Sequence, residues 1–478
     1  MNFSSNHPPS RALMTDLYAL TMAQGYWLEG IAERDSVFHL YARKAPYNGK
    51  AVIVAGQGTA CEFLQDLRIS DDDVQWIAQI LSADGRPLFR AEFLEWLRGK
   101  RFSIDVDAVA EGEILAPPAP MMRVRGPLWQ AQWVESALLS IMSFQTLIAT
   151  CAARLVAAVG PGGEVVDFGM RRAQGLDGGV SAARAAYIGG VSGTSHVYAA
   201  HRWGIPPKGT HAHAWVSAIG DEEAAFFAYA RALRDPCILL VDTWDTVEGV
   251  KKAIKVGLEM RKEGRELAAI RLDSGDLLAL SVRARQLLDE AGLVHTKICA
   301  SNELDEAKIR ELRAAAAPID IWGVGTALAT GGSVSSLGGV YKLSALRKEG
   351  GDWDHLAKRS DDLQKASWPG ELQVWRMLGK DGIATDVITD QILHRDAPTS
   401  VVSIDGSPLE MEPDLARPLL RTFISGGKRV IPEQPLERAR TRAADRWANY
   451  MNPTERLRPG ACADLFALRR DLLSRGQE

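Results

Sequence analysis

The sequence predicts an α/β protein in which an irregular, TIM-like α/β barrel packs on an α+β domain built from the N- and C-terminal parts of the chain. Strand-like and helical segments alternate about every thirty residues in the middle of the chain, which is typical of βαβ units. Five polar clusters each follow a strand-like run. Loops converge on one mouth in a barrel, whereas a doubly wound sheet concentrates them at one switch point, so these clusters favour the barrel.

Residues 1–127 are predicted to form the N-terminal α+β domain. Apolar residues at helical spacing come first, an alternating segment follows, and SDDD at 70–73 provides an N-cap run for a later helix. The predicted elements are a helix within 13–30, a strand at 35–43, helices within 58–100 and strands within 102–126.

Residues 128–340 are predicted to form the barrel, beginning with a long apolar helix over 128–159. The short apolar runs that follow indicate buried parallel strands. The predicted strands are Val165–Phe168, Gly204–Lys208, Ile238–Val241, Ala268–Leu272, Lys297–Ala300 and Ile319–Val324. The predicted helices include 181–188, 222–233, 247–262, 276–291 and 304–316.

Residues 341–478 are predicted to pack with the N-terminal domain. The segments 340–378 and 382–405 are strand-rich, and 434–447 is a charged helix. Both signs of charge are interspersed along that helix, which indicates a solvated face.

The composition excludes several classes of protein. With 478 residues, 46% hydrophobic and 24% charged, the chain is typical of a soluble protein of two or three domains. A net charge of −4 gives no electrostatic reason to expect nucleic acid or an acidic membrane surface. Its five cysteines include no CxxC pair, which argues against a zinc site and a disulfide framework. The chain lacks a signal peptide's apolar core and any stretch near the ~20 apolar residues of a membrane span, so we expect a cytoplasmic protein.

One polar cluster contains an aromatic ring and an arginine, and a second contains a pair of histidines. In DFGMRR (167–172), Phe168 could stack on an aromatic ligand and Arg171 could bind a phosphate or carboxylate; a core ring and a surface ion pair are the alternatives. In GTHAHAW, His211 and His213 point the same way if the segment is extended. A metal pair, a catalytic base or phosphoryl acceptor, and a structural role all remain open for them.

Two further clusters contain carboxylates and glycines. In RLDSGD, Asp273 and Asp276 suit Mg²⁺ or ribose hydroxyls, although an Asx turn and a helix N-cap by Asp273 or Ser274 would also explain the motif. In GVGTALATGG, the residues Gly323, Gly325 and Thr326 resemble a phosphate cradle. The missing lysine argues against an ordinary P-loop.

Taken together, these segments resemble the nicotinate phosphoribosyltransferase family. The similarity covers roughly residues 13–380. It is carried in order by LMTDLYALTMAQGYW, VDFGMRRAQG, AAYIGGVSGTS, GTHAHAWV, LLVDTWDTVEGV, IRLDSGDL, SNELDE, GVGTALATG, LGGVYKL and, weakly, KASWPGELQVWR.

The resemblance implies an enzyme that joins nicotinate to phosphoribosyl pyrophosphate, giving nicotinate mononucleotide and pyrophosphate in the salvage route of NAD biosynthesis. It also implies coupling to ATP hydrolysis through a phosphohistidine, Mg²⁺ with the phosphate substrates, and a homodimer with shared active sites. By sequence position, the resemblance implies that His213 is the phosphorylated histidine and that Asp273 contacts the ribose or the pyrophosphate. Implied nicotinate contacts are Tyr18, Phe168, Thr210 and Arg271, and implied phosphoribosyl or phosphate contacts are Arg171, Ser301, Gly323, Gly325 and Thr326.

The chain departs from the family pattern at several positions. Ala214 and His196 stand where many members have serine and asparagine, and with only Cys462 near the C-terminus we expect no zinc knuckle. Nicotinamide phosphoribosyltransferases, the nearest alternative, carry an aspartate after a Gly-Thr pair, where this chain has His211. His211 and Arg271 would not repel a carboxylate, which favours nicotinate. A barrel that binds a metabolite without catalysis is the second alternative, and the presence of His213, Asp273 and Thr326 together argues against it.

Overall fold

A computed structural model describes residues 10–233, 236–348, 350–358, 367–451 and 457–474. Within these ranges the chain forms two compact units. One lies within Met1–Leu147 and Ser336–Glu478, and the other comprises Ile148–Ser335. The first unit therefore combines segments from both ends of the sequence.

The N-terminal part of the first unit contains short helices and strands. Its strands are β1 (Asp35–Ala42), β2 (Val52–Ile53), β3 (Asp105–Val109), β4 (Ile114–Leu115) and β5 (Met122–Pro127). Its helices are α1 (Leu17–Leu28), α2 (Gln57–Leu64), α3 (Asp71–Ile77), α4 (Ala91–Leu97), α5 (Leu128–Trp133) and α6 (Glu135–Val159), the last of which continues past residue 147. The predicted cap is confirmed: Ser70 and Asp73 form a reciprocal capping box at α3.

The second unit alternates strands with helices. Its strands are β6 (Glu164–Asp167), β7 (Cys237–Leu240), β8 (Leu267–Leu272), β9 (Lys297–Ala300) and β10 (Ile321–Val324). Its helices are a 3₁₀ turn (Met170–Arg172), α7 (Gly175–Ile188), α8 (Val197–Trp203), α9 (His213–Ile219), α10 (Glu222–Ala232), α11 (Thr246–Lys262), α12 (Leu277–Glu290), α13 (Glu306–Ala314) and α14 (Thr326–Thr330).

The C-terminal part returns to the first unit. Its strands are β11 (Gly339–Arg347), β12 (Trp353–His355), β13 (Leu372–Gly379), β14 (Ala384–Asp390), β15 (Val401–Ser403), β16 (Pro408–Leu409), β17 (Met411–Pro418), β18 (Leu420–Ser425), β19 (Lys428–Arg429) and β20 (Leu457–Cys462). Its helices are α15 (Leu436–Met451) and α16 (Ala463–Ser474).

Two larger sheets organise the first unit. A seven-stranded sheet has the order β12-β11-β1-β5-β3-β18-β19, and a six-stranded sheet has the order β16-β15-β20-β14-β13-β17. Strand β1 pairs antiparallel with β11 on one side and β5 on the other, so the two ends of the chain share one sheet. Buried His39 of β1 links them further, because its Nδ1 lies 2.7 Å from Ser344 Oγ and its Nε2 accepts a hydrogen bond from the Leu372 amide.

A five-stranded parallel sheet with the order β6-β10-β9-β8-β7 forms the centre of the second unit, which confirms the predicted α/β class. Isolated parallel bridges extend the sheet beyond β6, from Asp167 to Thr194 and from Thr194 to Pro207. The predicted strand at Gly204–Lys208 is thus only a bridge. Among the described residues the pairing does not close into a ring, so a complete barrel is not confirmed.

One helix corrects the expectation about membrane spans. Glu135–Val159 is the single described helix long and apolar enough to cross a membrane, but 67% of its most apolar window is buried inside the structure. Core helices of globular proteins have the same composition.

Candidate active site

A pocket of about 300 Å³ lies at the carboxyl ends of the parallel strands in the second unit. Sites of this size at such strand ends are typical of small-molecule binding in α/β proteins. The lining residues are Phe168, Met170, Arg171, Ser195, Gly209, Thr210, His211, Ala212, His213, Leu240, Arg271 and Asp273. Six of the predicted site residues are among them.

The guanidinium group of Arg271, at the end of β8, is held by three side chains. It donates from Nε to Ser301 Oγ at 2.8 Å, from one terminal nitrogen to Thr210 Oγ1 at 2.9 Å, and from the other to Asp273 Oδ1 at 2.8 Å. Only 12% of the arginine side chain is exposed. Three of its five N–H groups are thus engaged by described partners, and the planar group remains available to a ligand carboxylate through the others.

Phe168 lies beside this arginine, with the Arg271 guanidinium carbon 5.3 Å from its ring centroid. Its amide donates to the Val324 carbonyl at 2.9 Å, which ties the turn after β6 to β10. A Cβ atom on Gly323 would lie 2.5 Å from the Phe168 ring. The glycine that resembles part of a phosphate cradle therefore makes room for the aromatic ring.

Asp242, which follows β7, orients the turn that carries Asp273. Its Oδ2 accepts hydrogen bonds of 2.7 Å from the Asp273 amide and from Ser274 Oγ. The alternative explanation of the motif, a helix cap by Asp273 or Ser274, does not apply, because Asp276 caps α12 by accepting from the amides of Leu278 and Ala279. Asp273 is consequently free to face the pocket.

His213 begins α9 and is held from the side by the segment after β7. Its Nδ1 lies 3.1 Å from Thr243 Oγ1, and its Nε2 lies 3.8 Å from Asp273 Oδ2. The side chain is 44% exposed, so Nε2 is accessible from the pocket. No local sequence pattern indicates a role for Asp242 or Thr243, although both belong to the VDTWDT segment that carries the resemblance.

A buried carboxylate also shapes the turn after β6. Asp167 Oδ1 accepts from the Gly169 amide at 2.8 Å and Oδ2 accepts from Thr194 Oγ1 at 2.7 Å. Burial raises the pKa of Asp167. A Cβ on Gly169 would meet Ala329 at 2.6 Å, so this turn has no room for another residue type.

Comparison with known proteins identifies the family. A family model described as the nicotinate phosphoribosyltransferase N-terminal domain matches residues 13–143, and one described as the nicotinate phosphoribosyltransferase family matches residues 164–387. The chain belongs to the nicotinate phosphoribosyltransferase family.

Individual members of the family are similar over most of their length. Nicotinate phosphoribosyltransferase of Bacillus subtilis is 43% identical over 373 residues, covering 78% of this chain and 74% of the relative. The protein named pncB2 of Mycobacterium tuberculosis is 41% identical over 367 residues, covering 77% and 76%. The crystal structure of human nicotinic acid phosphoribosyltransferase is similar with a TM-score of 0.80 and 30% identity, covering 96% of this chain and all of that one.

Some site residues expected of a nicotinate phosphoribosyltransferase lie outside the pocket lining. Ser301 is buried, and its Oγ forms hydrogen bonds with Arg271 and Asp273. Gly325 and Thr326 form the start of α14, where Gly325 is the N-cap residue. Tyr18 lies on α1 of the first unit, 42% exposed, and its hydroxyl interacts with Ser136 and Glu135.

The structure places two residues that follow Gly-Thr pairs in the pocket lining. Ser195 follows Gly193-Thr194, and His211 follows Gly209-Thr210. Neither residue carries a carboxylate. His196 is buried beside Asp167, and burial lowers its pKa.

Proposed function

We propose that this member of the nicotinate phosphoribosyltransferase family joins nicotinate to phosphoribosyl pyrophosphate at the mouth of an irregular α/β barrel, coupled to ATP through a phosphohistidine. One observation carries the proposal: the fixed guanidinium of Arg271 and the ring of Phe168 lie together in a small pocket, 5.3 Å apart. A flat pyridine carboxylate needs this combination of an aromatic surface and a planar cation.

Transfer of the phosphoribosyl group to nicotinate requires little covalent catalysis by the protein. The pyridine nitrogen attacks the anomeric carbon with its lone pair, the bond from that carbon to the pyrophosphate oxygen breaks, and pyrophosphate leaves with both electrons. The nucleophile has no proton to lose, so no general base is required. Positioning by Phe168, Thr210 and Arg271 and charge neutralisation of the leaving group carry the rate.

The ATP-linked step uses His213. If Nδ1–H donates to Thr243, the lone pair lies on Nε2, which faces the open pocket. The γ-phosphoryl group of ATP then passes to Nε2 and ADP leaves.

The donor set suits Mg²⁺ that arrives with the phosphate substrates. In the described ranges no three His, Cys, Asp or Glu residues are grouped to hold a metal ion. Mg²⁺ keeps phosphate oxygens and water as ligands and needs only one or two carboxylates, and Asp273 is the carboxylate in the pocket lining. When bound, the ion would supply positive charge to the pyrophosphate.

The family resemblance and the composition of the chain add three further parts of the proposal. We infer a homodimer in which Tyr18 of one subunit serves the pocket of the other. We also infer a cytoplasmic location. In the site itself, Arg171, Gly325 and Thr326 contact the phosphoribosyl phosphates.

The test is pyrophosphate release with phosphoribosyl pyrophosphate, Mg²⁺ and one of three acceptors: nicotinate, nicotinamide or quinolinate. We expect turnover with nicotinate, stimulated by ATP. Turnover with nicotinamide or quinolinate but not nicotinate would overturn the proposal, and identification of nicotinate mononucleotide by mass would complete it.

A further inference from the structure

A side chain from the segment after Pro207 contacts the β7 edge of the parallel sheet in the second unit. At one edge is the bridge at Pro207, and at the other is β7, which pairs only with β8 among the described strands. The amide of Leu240 points away from β8 and donates to Nε2 of His211 at 3.1 Å. The imidazole therefore stands where a further strand would supply a carbonyl.

This hydrogen bond fixes the state of the imidazole. An amide can donate only to a nitrogen with a free lone pair, so Nε2 carries no proton and Nδ1 carries one. Nδ1 lies 3.4 Å from the Ala212 carbonyl. The ring is 7% exposed and packs edge-on against Tyr229, with centroids 4.7 Å apart, and at 5.9 Å from Phe226. These surroundings favour the neutral form.

The position of His211 in the chain gives the bond a consequence for the pocket. Thr210, directly before it, accepts from Arg271, and His213, two residues later, approaches Thr243 and Asp273. Ala212, the N-cap residue of α9, makes no side-chain cap. The bond to Leu240 thus ties this segment to β7, as the bond between Thr210 and Arg271 ties it to β8.

We propose that His211 is a positioning residue that, as a neutral Nδ1–H imidazole, anchors the 209–213 segment to β7 and so sets the places of Thr210 and His213. The proposal rests on the proposed function for its effect on turnover, but not for the hydrogen bond itself.

The test compares two substitutions, one that keeps a hydrogen-bond acceptor at position 211 and one that removes it. Gln at 211 can place an amide oxygen near the position of Nε2, whereas Phe keeps the aromatic packing but cannot accept. We expect His211→Phe to lower kcat/KM for nicotinate on the order of tenfold or more, because a buried amide loses its partner. We expect His211→Gln to stay within about threefold of the wild type, since the acceptor is retained. Tyr229→Phe, which alters a neighbouring ring without touching the hydrogen bond, is the control.

Two measurements on the full-length protein do not depend on activity. In protein labelled with ¹⁵N-histidine, His211 should show the Nδ1–H tautomer at neutral pH. The Leu240 amide should exchange slowly in the wild type and in His211→Gln, and faster in His211→Phe. An Nε2–H tautomer, or wild-type exchange and turnover in His211→Phe, overturns the proposal. If the wild type lacks turnover but shows the tautomer and the exchange pattern, the proposed function fails while the anchoring bond stands.

Discussion

Nε2 of His213 lies 3.8 Å from Oδ2 of Asp273, whose other oxygen is held by Arg271. A phosphoryl group on that nitrogen would place new negative charge next to the carboxylate. Like charges at this range raise each other's energy, so a phosphohistidine here would be poised to discharge. The same carboxylate links the histidine to Arg271 in the lining of the pocket.

The first prediction concerns this histidine. His213→Ala should abolish nicotinate-stimulated ATP turnover while leaving some ATP-independent product formation. Wild-type protein incubated with γ-labelled ATP should carry acid-labile, alkali-stable phosphate, as expected for an N–P bond. His295→Ala, at an exposed position outside the pocket, is the matched control. Normal ATP hydrolysis by His213→Ala would assign phosphorylation to another residue.

The second prediction concerns carboxylate recognition. Arg271→Lys keeps the charge but loses the planar fork that Ser301, Thr210 and Asp273 hold. The KM for nicotinate should rise tenfold or more, from the ~1.5–3 kcal/mol of a charged hydrogen bond. Arg283→Lys, on the exposed surface of α12, should leave the constant unchanged. An unaltered KM in Arg271→Lys would remove the arginine from nicotinate binding.

The third prediction concerns Gly323. An added methyl group would lie 2.5 Å from the Phe168 ring, so Gly323→Ala must displace the ring or strain the strand. We expect a loss of about 1–3 kcal/mol in the free energy of unfolding, together with a raised KM for nicotinate. Gly178→Ala, which meets no atom within 4 Å, is the control. Equal stability and KM in the two variants would show that the ring does not need this glycine.

The fourth prediction tests the inferred shared site. Tyr18→Ala and His213→Ala should each be nearly inactive alone. In a mixed dimer one pocket would combine wild-type His213 from one subunit with wild-type Tyr18 from the other, so about half of the activity per mixed dimer should return on co-expression. If Tyr18 serves its own subunit, every pocket keeps one defect and nothing is regained.

The fifth prediction follows from the buried state of His211. Burial lowers the pKa of His211 from 6.5 to about 4, and the nearby Arg271 and His213 act in the same direction. Between pH 6.5 and pH 4 the imidazole of His211 is therefore protonated in the unfolded chain but neutral in the native state. Its contribution to the free energy of unfolding is complete above pH 6.5 and is lost as the pH falls toward 4. It amounts to about 3 kcal/mol.

Urea unfolding at a series of pH values measures this effect. Between pH 7 and pH 4 the wild type should lose about 1–3 kcal/mol more than His211→Gln. His39 and His196, whose pKa values burial also lowers, are present in both proteins, so their contributions cancel. Parallel pH profiles for the two proteins would contradict the assignment.

The sequence located most strands of the second unit because short apolar runs bounded by turn residues have few alternatives. Lys297–Ala300 coincides with β9. The segment Gly204–Lys208 contains Pro206 and Pro207, which have no N–H to donate, so only a bridge forms there. Helix α7 begins at Gly175, earlier than the predicted start at residue 181. The prediction missed its first residues because three of the first five are glycines, which weaken the helical pattern.

Less of the candidate site than of the fold could be predicted from the sequence. The two-residue spacing of Arg271 and Asp273 is typical of side chains on one side of an extended segment, and the structure joins them by a hydrogen bond. Asp242 and Thr243 follow β7 and Ser301 follows β9, so their supporting contacts join segments that are distant in sequence, and no local pattern records which of them reaches which partner. Likewise, position 323 has room only for glycine because the ring of Phe168, from a distant part of the chain, lies against it.

The clamping of Arg271 by three neighbours has a thermodynamic consequence. An arginine side chain in solution samples many rotamers, and fixing it costs about 2 kcal/mol of conformational entropy. Here Ser301, Thr210 and Asp273 fix the guanidinium during folding, before any ligand arrives. Association with an anion then immobilises only the anion, so even a molecule of few atoms can bind with useful affinity.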